Sequence, residues 1–290
     1  MAAITWLLNL DAELELADPV HYRPALAMHV RIASLRERLT TLLGPADRII
    51  GVDDGCARCD VVRAFCPTPM ALARIRDAGL VPPEAPSLAL LARVNSRAFC
   101  AAIGQTLADA HYVRSMAALH EVLAQPSPSG AWLLKRDFSF AGRERRRVDA
   151  SGLDASTSGF ARRSFARGEG LQVEPLLART DDFAQHGYLQ DDGRLLVGPP
   201  MRQQCDARGV WQHSLELRAG ELDDAARQAL DESVRSVADA LLAEGYFGPF
   251  GVDAYRYRDG GGRAHFQPRS ELNARFSMGY PRALLERALR

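Results

Sequence analysis

The sequence predicts a mixed α/β (α+β) protein of several lobes, and three observations carry that prediction. Strand-like and helix-periodic segments alternate through the first 90 residues. One long amphipathic helix spans Glu221 to Glu244. The chain then closes on a hairpin, Phe250 to Tyr257 with Ala264 to Phe276, whose second arm alternates polar and apolar residues.

The elements follow in order. Ile4 to Leu10 reads as a strand, followed by an acidic stretch with Asp11, Glu13 and Glu15. Pro24 to Leu43 is roughly helix-periodic through Leu26, Val30, Ala33, Leu35, Leu39 and Leu42, and Gly44-Pro45 stops it. Arg48 to Val52 reads as a short buried strand, with Asp53-Asp54-Gly55 as its turn. Pro69 to Ala78 reads as a second helix ended by Gly79, which completes a small α/β lobe over residues 1–90. Pro82, Pro83 and Pro86 mark a connector. Residues 91–130 are mostly helical, with helices over Ser87 to Leu107 and Ser115 to Leu123 around an extended Tyr112-Val113. The loop Gln125 to Gly130 closes this unit.

Residues 131–178 hold a strand at Trp132 to Lys135, a polar loop from Asp137 to Arg147 and a strand from Gly170 to Leu177. Residues 179–290 form the last unit. Tyr188 to Gln190 and Arg194 to Val197 flank a hairpin turn at Asp191-Asp192-Gly193. The long helix has Leu222, Ala226, Leu230, Val234, Val237, Leu241 and Leu242 on its apolar face, with Gly245 as its stop.

Composition narrows the function. The 290 residues carry 36 basic and 36 acidic side chains, so no overall field draws the protein to nucleic acid or membrane. No apolar run reaches the roughly 20 residues that span a bilayer. The N-terminus lacks a basic region and carries three acidic residues, so a cytoplasmic location is expected. Cys56 and Cys59 form a CxxC with Cys66 seven residues on, but no fourth ligand follows at zinc spacing, and reduced thiols are the expectation. GxxxxGK[ST] and GxGxxG are both absent, which disfavours a P-loop or Rossmann cofactor site.

Of the basic residues, 35 are arginine and one is lysine, Lys135. Arginine and lysine are interchangeable on most solvated surfaces and differ where a compact ammonium is needed. Lys135 ends an apolar strand and precedes a loop containing Ser139 and Gly142. A lysine so placed can bind phosphates while the loop N–H groups close over them.

The last strand is the most informative segment. His265, Gln267, Arg269, Glu271, Asn273 and Arg275 share one face, and the opposite face is mostly apolar. A solvated sheet face is the competing reading. Against it, Asp253 in the preceding strand can face Glu271 and Asn273 across the hairpin. Three oxygen donors suit a hard cation, Mg²⁺ with Mn²⁺ as the alternative, shared with substrate phosphates. Arg275, one step further on, can neutralise a phosphate or a developing anion.

The order of these pieces resembles the ATP-grasp superfamily over roughly residues 90–290. Leu133-Leu-Lys135 with Ser139 to Arg143 resembles the phosphate-binding strand and loop. Gln172-Val-Glu174-Pro-Leu-Leu177 resembles the adenine hinge. Phe250-Gly-Val-Asp253 and Glu271-Leu-Asn273-Ala-Arg275 resemble the metal-ligand strands.

The resemblance implies an ATP-grasp fold preceded by a Rossmann-like lobe. It implies Glu174, the Pro175 carbonyl and the Leu177 N–H against adenine, and Asp182 at the ribose, with Asp181 equally open. It implies Lys135 and Arg275 as catalytic groups and Asp253, Glu271 and Asn273 around one or two Mg²⁺. Arg97 stands near the place of a second phosphate-binding lysine. Arg143, Arg145, Arg146, Arg147 and Arg269 are candidate anchors for a carboxylate. The implied activity is ATP-dependent joining of a small-molecule or peptide carboxylate to an amine through an acylphosphate. A small-molecule kinase and a nucleotide-binding module without turnover are the alternatives, and a homodimer is left open.

Overall fold

The computed structural model describes residues 3–53, 61–104, 107–138, 145–206 and 210–290. Ser139, Gly142, Arg143, Cys56 and Cys59 lie outside the described residues, so the structure says nothing of those expectations.

The N-terminal segment forms a parallel three-stranded sheet in the order β2-β1-β3, with β1 at Ile4–Leu7, β2 at Arg48–Ile49 and β3 at Val61–Ala64. Every residue of β1 is buried, as a central parallel strand covered on both faces requires. Helices α1 (Ala12–Ala17), α2 (Leu26–Leu35) and α3 (Pro69–Asp77) surround it. Three expectations change here. The acidic stretch is α1, and Val61–Ala64 is a strand that the pattern reading passed over. The helix expected to Leu43 ends at Leu35 and gives way to a 3-10 turn at Arg36–Arg38. Leu39 and Leu42 are fully buried all the same, because turns can also deliver side chains to the core.

The helix expected over 87–107 is two helices, α4 (Leu88–Val94) and α5 (Arg97–Ala102). Ser96 breaks it: its Oγ accepts the Phe99 N–H at 3.1 Å and caps the second helix. After β4 (His111–Val113) and α6 (Met116–Leu123) comes the small sheet, in the order β4-β7-β5-β6. Its other strands are β5 (Trp132–Arg136), β6 (Arg145–Val148) and β7 (Leu171–Pro175). The polar loop expected to Arg147 therefore ends before Arg145, since Arg145 to Arg147 pair with β5 as an edge strand. Helix α7 (Ala155–Ala166), capped by Asp154, went unread because its apolar positions are few. Leu119, Leu134, Phe160, Leu171 and Val173 form the core under this sheet.

The large sheet runs β11-β10-β8-β12-β13, with β9 paired to β8 beside that path. Its strands are β8 (Ala178–Leu189), β9 (Leu195–Val197), β10 (Met201–Cys205), β11 (Trp211–Glu216), β12 (Gly248–Arg258) and β13 (Ala264–Asn273). The pattern reading caught only the end of β8 and neither β10 nor β11. Helix α8 (Asp224–Ala243) covers one face with Leu230, Val234, Val237 and Leu241, and Asp223 caps its start. Helix α9 (Arg282–Ala288) ends the chain. Among the described residues no helix is long and apolar enough to cross a membrane.

Candidate functional site

The face of the large sheet turned away from α8 and one face of the small sheet wall a common pocket, with Glu174 on one side and Glu271 on the other. Strand register decides which side chains enter. Asp253 stands opposite Glu271 on β13 and Ala184 on β8, and Gly251 stands opposite Asn273 and His186. Three residues, 268–270, face Ala254 alone, so β13 bulges beside the acidic pair. The Ser270 hydroxyl donates to the Asp253 carbonyl at 3.1 Å in this bulge. Gly251 leaves room for its neighbour, since a Cβ there would come within 2.9 Å of His186 Cδ2.

Asp253 accepts two amide donors, Gln203 Nε2 at 2.9 Å and Asn273 Nδ2 at 3.2 Å. Burial, with the Glu271 charge beside it, pushes its carboxyl up to about 7. Glu271 is tied to Arg97 Nη2 at 2.8 Å. Burial raises its carboxyl, but Arg97 and Lys135 outweigh burial and hold it below the usual range. Among the described residues no three His, Cys, Asp or Glu side chains cluster as a metal cage. The donors here are two carboxylates and an amide, a set that fits a hard cation completing its shell with ligand oxygens.

On the small sheet, Lys135 on β5 and Glu174 on β7 form a buried ion pair. Burial pulls the Lys135 ammonium below its ordinary range and the Glu174 carboxylate opposes it. Gln172 stands opposite Lys135 in register, on the same face as Glu174. Past Pro175 the chain crosses from the small sheet to the large one. Leu176 N–H donates to the Ala131 carbonyl at 2.9 Å, and the Leu177 carbonyl accepts from Arg179 N–H at 3.1 Å. Ser96, Arg97, Gln172, Glu174, Tyr255, Gln267, Ser270 and Glu271 share the walls of one pocket.

The two ribose candidates lie on opposite faces. Asp182 stands opposite Tyr255 and Gln203, on the face that carries Asp253, and Arg179 reaches it at 3.5 Å. Asp181 points to the α8 side, where Arg202 holds it at 3.0 Å.

Arg275 follows the end of β13 at Asn273, and its charge acts on both Asp253 and Glu271. Its guanidinium pairs with Glu13 of α1 and donates to the Phe276 carbonyl at 3.0 Å. Arg269 is buried, lines the pocket described above and donates Nη2 to the Gly104 carbonyl at 2.8 Å, while its buried Nε makes no hydrogen bond among the described residues. His265 sits at the hairpin end with Asp259.

Sequence reasoning missed Gln203, Tyr255, Glu13 and the bond from Arg97 to Glu271. Gln203 lies on a strand that went unread. The signal for Glu13 was available, an acidic residue just after a buried strand of a parallel sheet, where ligand-facing residues collect.

No family model and no curated protein matches the sequence. Solved structures do match the fold. D-cycloserine synthetase DcsG is 17% identical, with a TM-score of 0.55 over 99% of this chain and 98% of that one. An N5-carboxyaminoimidazole ribonucleotide synthetase in complex with ADP is 15% identical, with a TM-score of 0.51 over 94% of this chain and 70% of that one. D-alanyl-alanine synthetase A from Vibrio cholerae is 12% identical, with a TM-score of 0.50 over 100% of this chain and 95% of that one. The chain therefore has the ATP-grasp fold.

Proposed function

We propose that this protein is an ATP- and magnesium-dependent ligase that joins a small-molecule or peptide carboxylate to an amine. The observation that carries the reading is one pocket walled by both sheets, with Glu174, paired to Lys135, on one side and Glu271, opposite Asp253 in register, on the other. Each half supplies what the other lacks: phosphate cation and base acceptor on one wall, oxygen donors on the other. Two of the similar structures are a D-cycloserine synthetase and a D-alanyl-alanine synthetase, which supports the reaction class.

In this reading Glu174 accepts from the adenine amino group, with the Pro175 carbonyl and Leu177 N–H beside it. Asp182 accepts from the ribose. Lys135 and Arg97 bind phosphate oxygens. Asp253, Glu271 and Asn273 would hold Mg²⁺, which when bound neutralises phosphate charge. The substrate carboxylate oxygen attacks the γ-phosphorus, the bond to the β-phosphate oxygen breaks, and ADP leaves. The amine then attacks the acylphosphate carbon, phosphate departs, and the amine loses a proton. The protein's part is charge stabilisation and alignment, which is most of what phosphoryl transfer requires.

Thermal melting with millimolar ATP and Mg²⁺ tests the site, since a bound ligand raises Tm by mass action. ATP with Mg²⁺ should raise Tm in the wild type and not in Glu271→Gln. An unchanged wild-type Tm would sink the reading. A screen of acids and amines for ADP release then tests turnover. Phosphate released with a condensed product marks a ligase, and ADP with a phosphorylated acid and no condensation marks a kinase.

A further inference from the structure

Arg269 is a pocket cation that the assignment above leaves without a task. It is 6% exposed and lines the pocket with Glu174, Tyr255 and Glu271. A guanidinium is a fixed fork of N–H donors that carries a full charge. Here Nη2 donates to the Gly104 carbonyl at 2.8 Å, and the Cys100 thiol, a weak acceptor, also lies within reach. Nε is buried and makes no hydrogen bond among the described residues. Arg97 and Lys135 each have a carboxylate partner, whereas among the described residues none pairs with Arg269. A buried charge in that condition is costly unless a ligand completes its hydrogen bonds.

The register of β13 says which part of the pocket Arg269 serves. Glu271 stands opposite Asp253, and Gln267 stands opposite Tyr255. Arg269 lies between the two, in the bulge, where its carbonyl accepts from Gln267 Nε2 at 2.6 Å. Tyr255 lies in the field of Glu174, the group assigned to the base amino group. Arg269 is thus on the base side of the metal ligands. The tie to Gly104, just past the end of α5, holds its guanidinium in place, so little ordering remains to be done when a ligand arrives. What a purine offers such a donor is an acceptor. Its amino group goes to Glu174 in this assignment, and ring nitrogens N3 and N7 each present a lone pair.

We propose that Arg269 reads the nucleotide base, donating a charged N–H to a purine ring nitrogen, N3 or N7. The proposal rests on the nucleotide assignment made above. Glu174 tests the base for a donor and Arg269 tests it for an acceptor. Together they select by hydrogen-bond pattern, where an apolar wall would select by shape alone. A base lacking the acceptor would leave the guanidinium buried and unsatisfied, which makes the discrimination large.

The test is calorimetric titration of the 290-residue protein, in Mg²⁺, with ATP, 7-deaza-ATP and 3-deaza-ATP, each analogue replacing one ring nitrogen by C–H. One analogue should bind wild type at least about tenfold more weakly than ATP, the loss expected of a charged hydrogen bond. In Arg269→Met, ATP itself should weaken by about tenfold, and that same analogue should then bind within about twofold of ATP. If both analogues bind wild type as ATP does, the proposal is overturned, and that comparison needs no variant to fold. An equal loss in wild type and variant also overturns it, since the nitrogen then meets another group. Arg269→Met with wild-type ATP affinity does the same, and leaves the arginine a structural residue or an anchor for the acid substrate. Inorganic tripolyphosphate separates base from phosphate: it should bind both proteins within about twofold, and a tenfold loss in the variant would assign Arg269 to phosphate instead. A wild type that binds no ATP at all fails the nucleotide reading itself, whereas ATP binding without analogue discrimination removes only the role of Arg269.

Discussion

Lys135 and Glu174 form an ion pair across adjacent strands of the small sheet, and both are buried. The pairing is diagonal, since Lys135 stands opposite Gln172 and Glu174 stands opposite Leu133. Breaking such a pair leaves one charge desolvated and alone. Lys135→Met is expected to lower stability by about 3–5 kcal/mol, and Lys135→Met with Glu174→Gln by less than the sum of the single changes. Urea melts of the four proteins give the coupling, and strict additivity would show that the pair is not made in solution.

Asp253 sets a pH dependence with a definite sign. Its carboxyl lies near 7 in the folded protein against 3.8 for the free group. The folded state therefore keeps a proton that the unfolded chain releases between about pH 4 and pH 7, and this group's contribution to stability falls as pH rises through that window. In Asp253→Asn the contribution is gone. A plot of Tm against pH should decline less across this range for the variant than for wild type, and parallel curves would refute the assignment.

Asp47 fastens the last helix to the first strand. It is buried and accepts from Ile4 N–H at 2.9 Å, Trp6 Nε1 at 3.0 Å and Gly44 N–H at 3.0 Å, and it pairs with Arg282 of α9. Asp47→Ala strands three donors and takes one of two carboxylates from Arg282, which keeps Glu286 at 3.0 Å, and a loss of roughly 3–5 kcal/mol follows. Chemical denaturation measures it. A loss under about 1 kcal/mol would mean that water replaces the carboxylate.

Gly187 on β8 is a packing requirement. A Cβ there would lie 2.3 Å from Phe250 Cζ, and that ring is fully buried in the core beside α8. Gly187→Ala is expected to cost about 1–3 kcal/mol by overpacking. Gly187→Ala with Phe250→Leu should recover part of the loss, and no recovery would place the strain elsewhere.

Local pattern was legible where local pattern suffices. The stretch Leu222 to Leu242 announces a helix because seven apolar residues return at helical spacing. Helix α7 does not, because Phe160 and Ala161 do its packing with little periodic support. Ser96 could have split α4 from α5 in advance, since a serine just before a helical turn is a capping residue. The edge strand β6 was hidden by its arginines, which read as loop but serve an exposed edge equally well.

The sequence by itself determined the parts of the candidate site. Period-two alternation puts Glu271 and Asn273 on one face, a short hairpin brings Asp253 opposite, and the only lysine stands at a strand end. Strand pairing carries this information because register follows from the turn and the apolar face. Only the tertiary structure decided who bonds to whom. It placed Gln203 against Asp253, Glu13 against Arg275 and Arg97 against Glu271, partners separated by 50, 262 and 174 positions. No local rule reaches that far, because such contacts arise when separate lobes pack and buried charges must find partners.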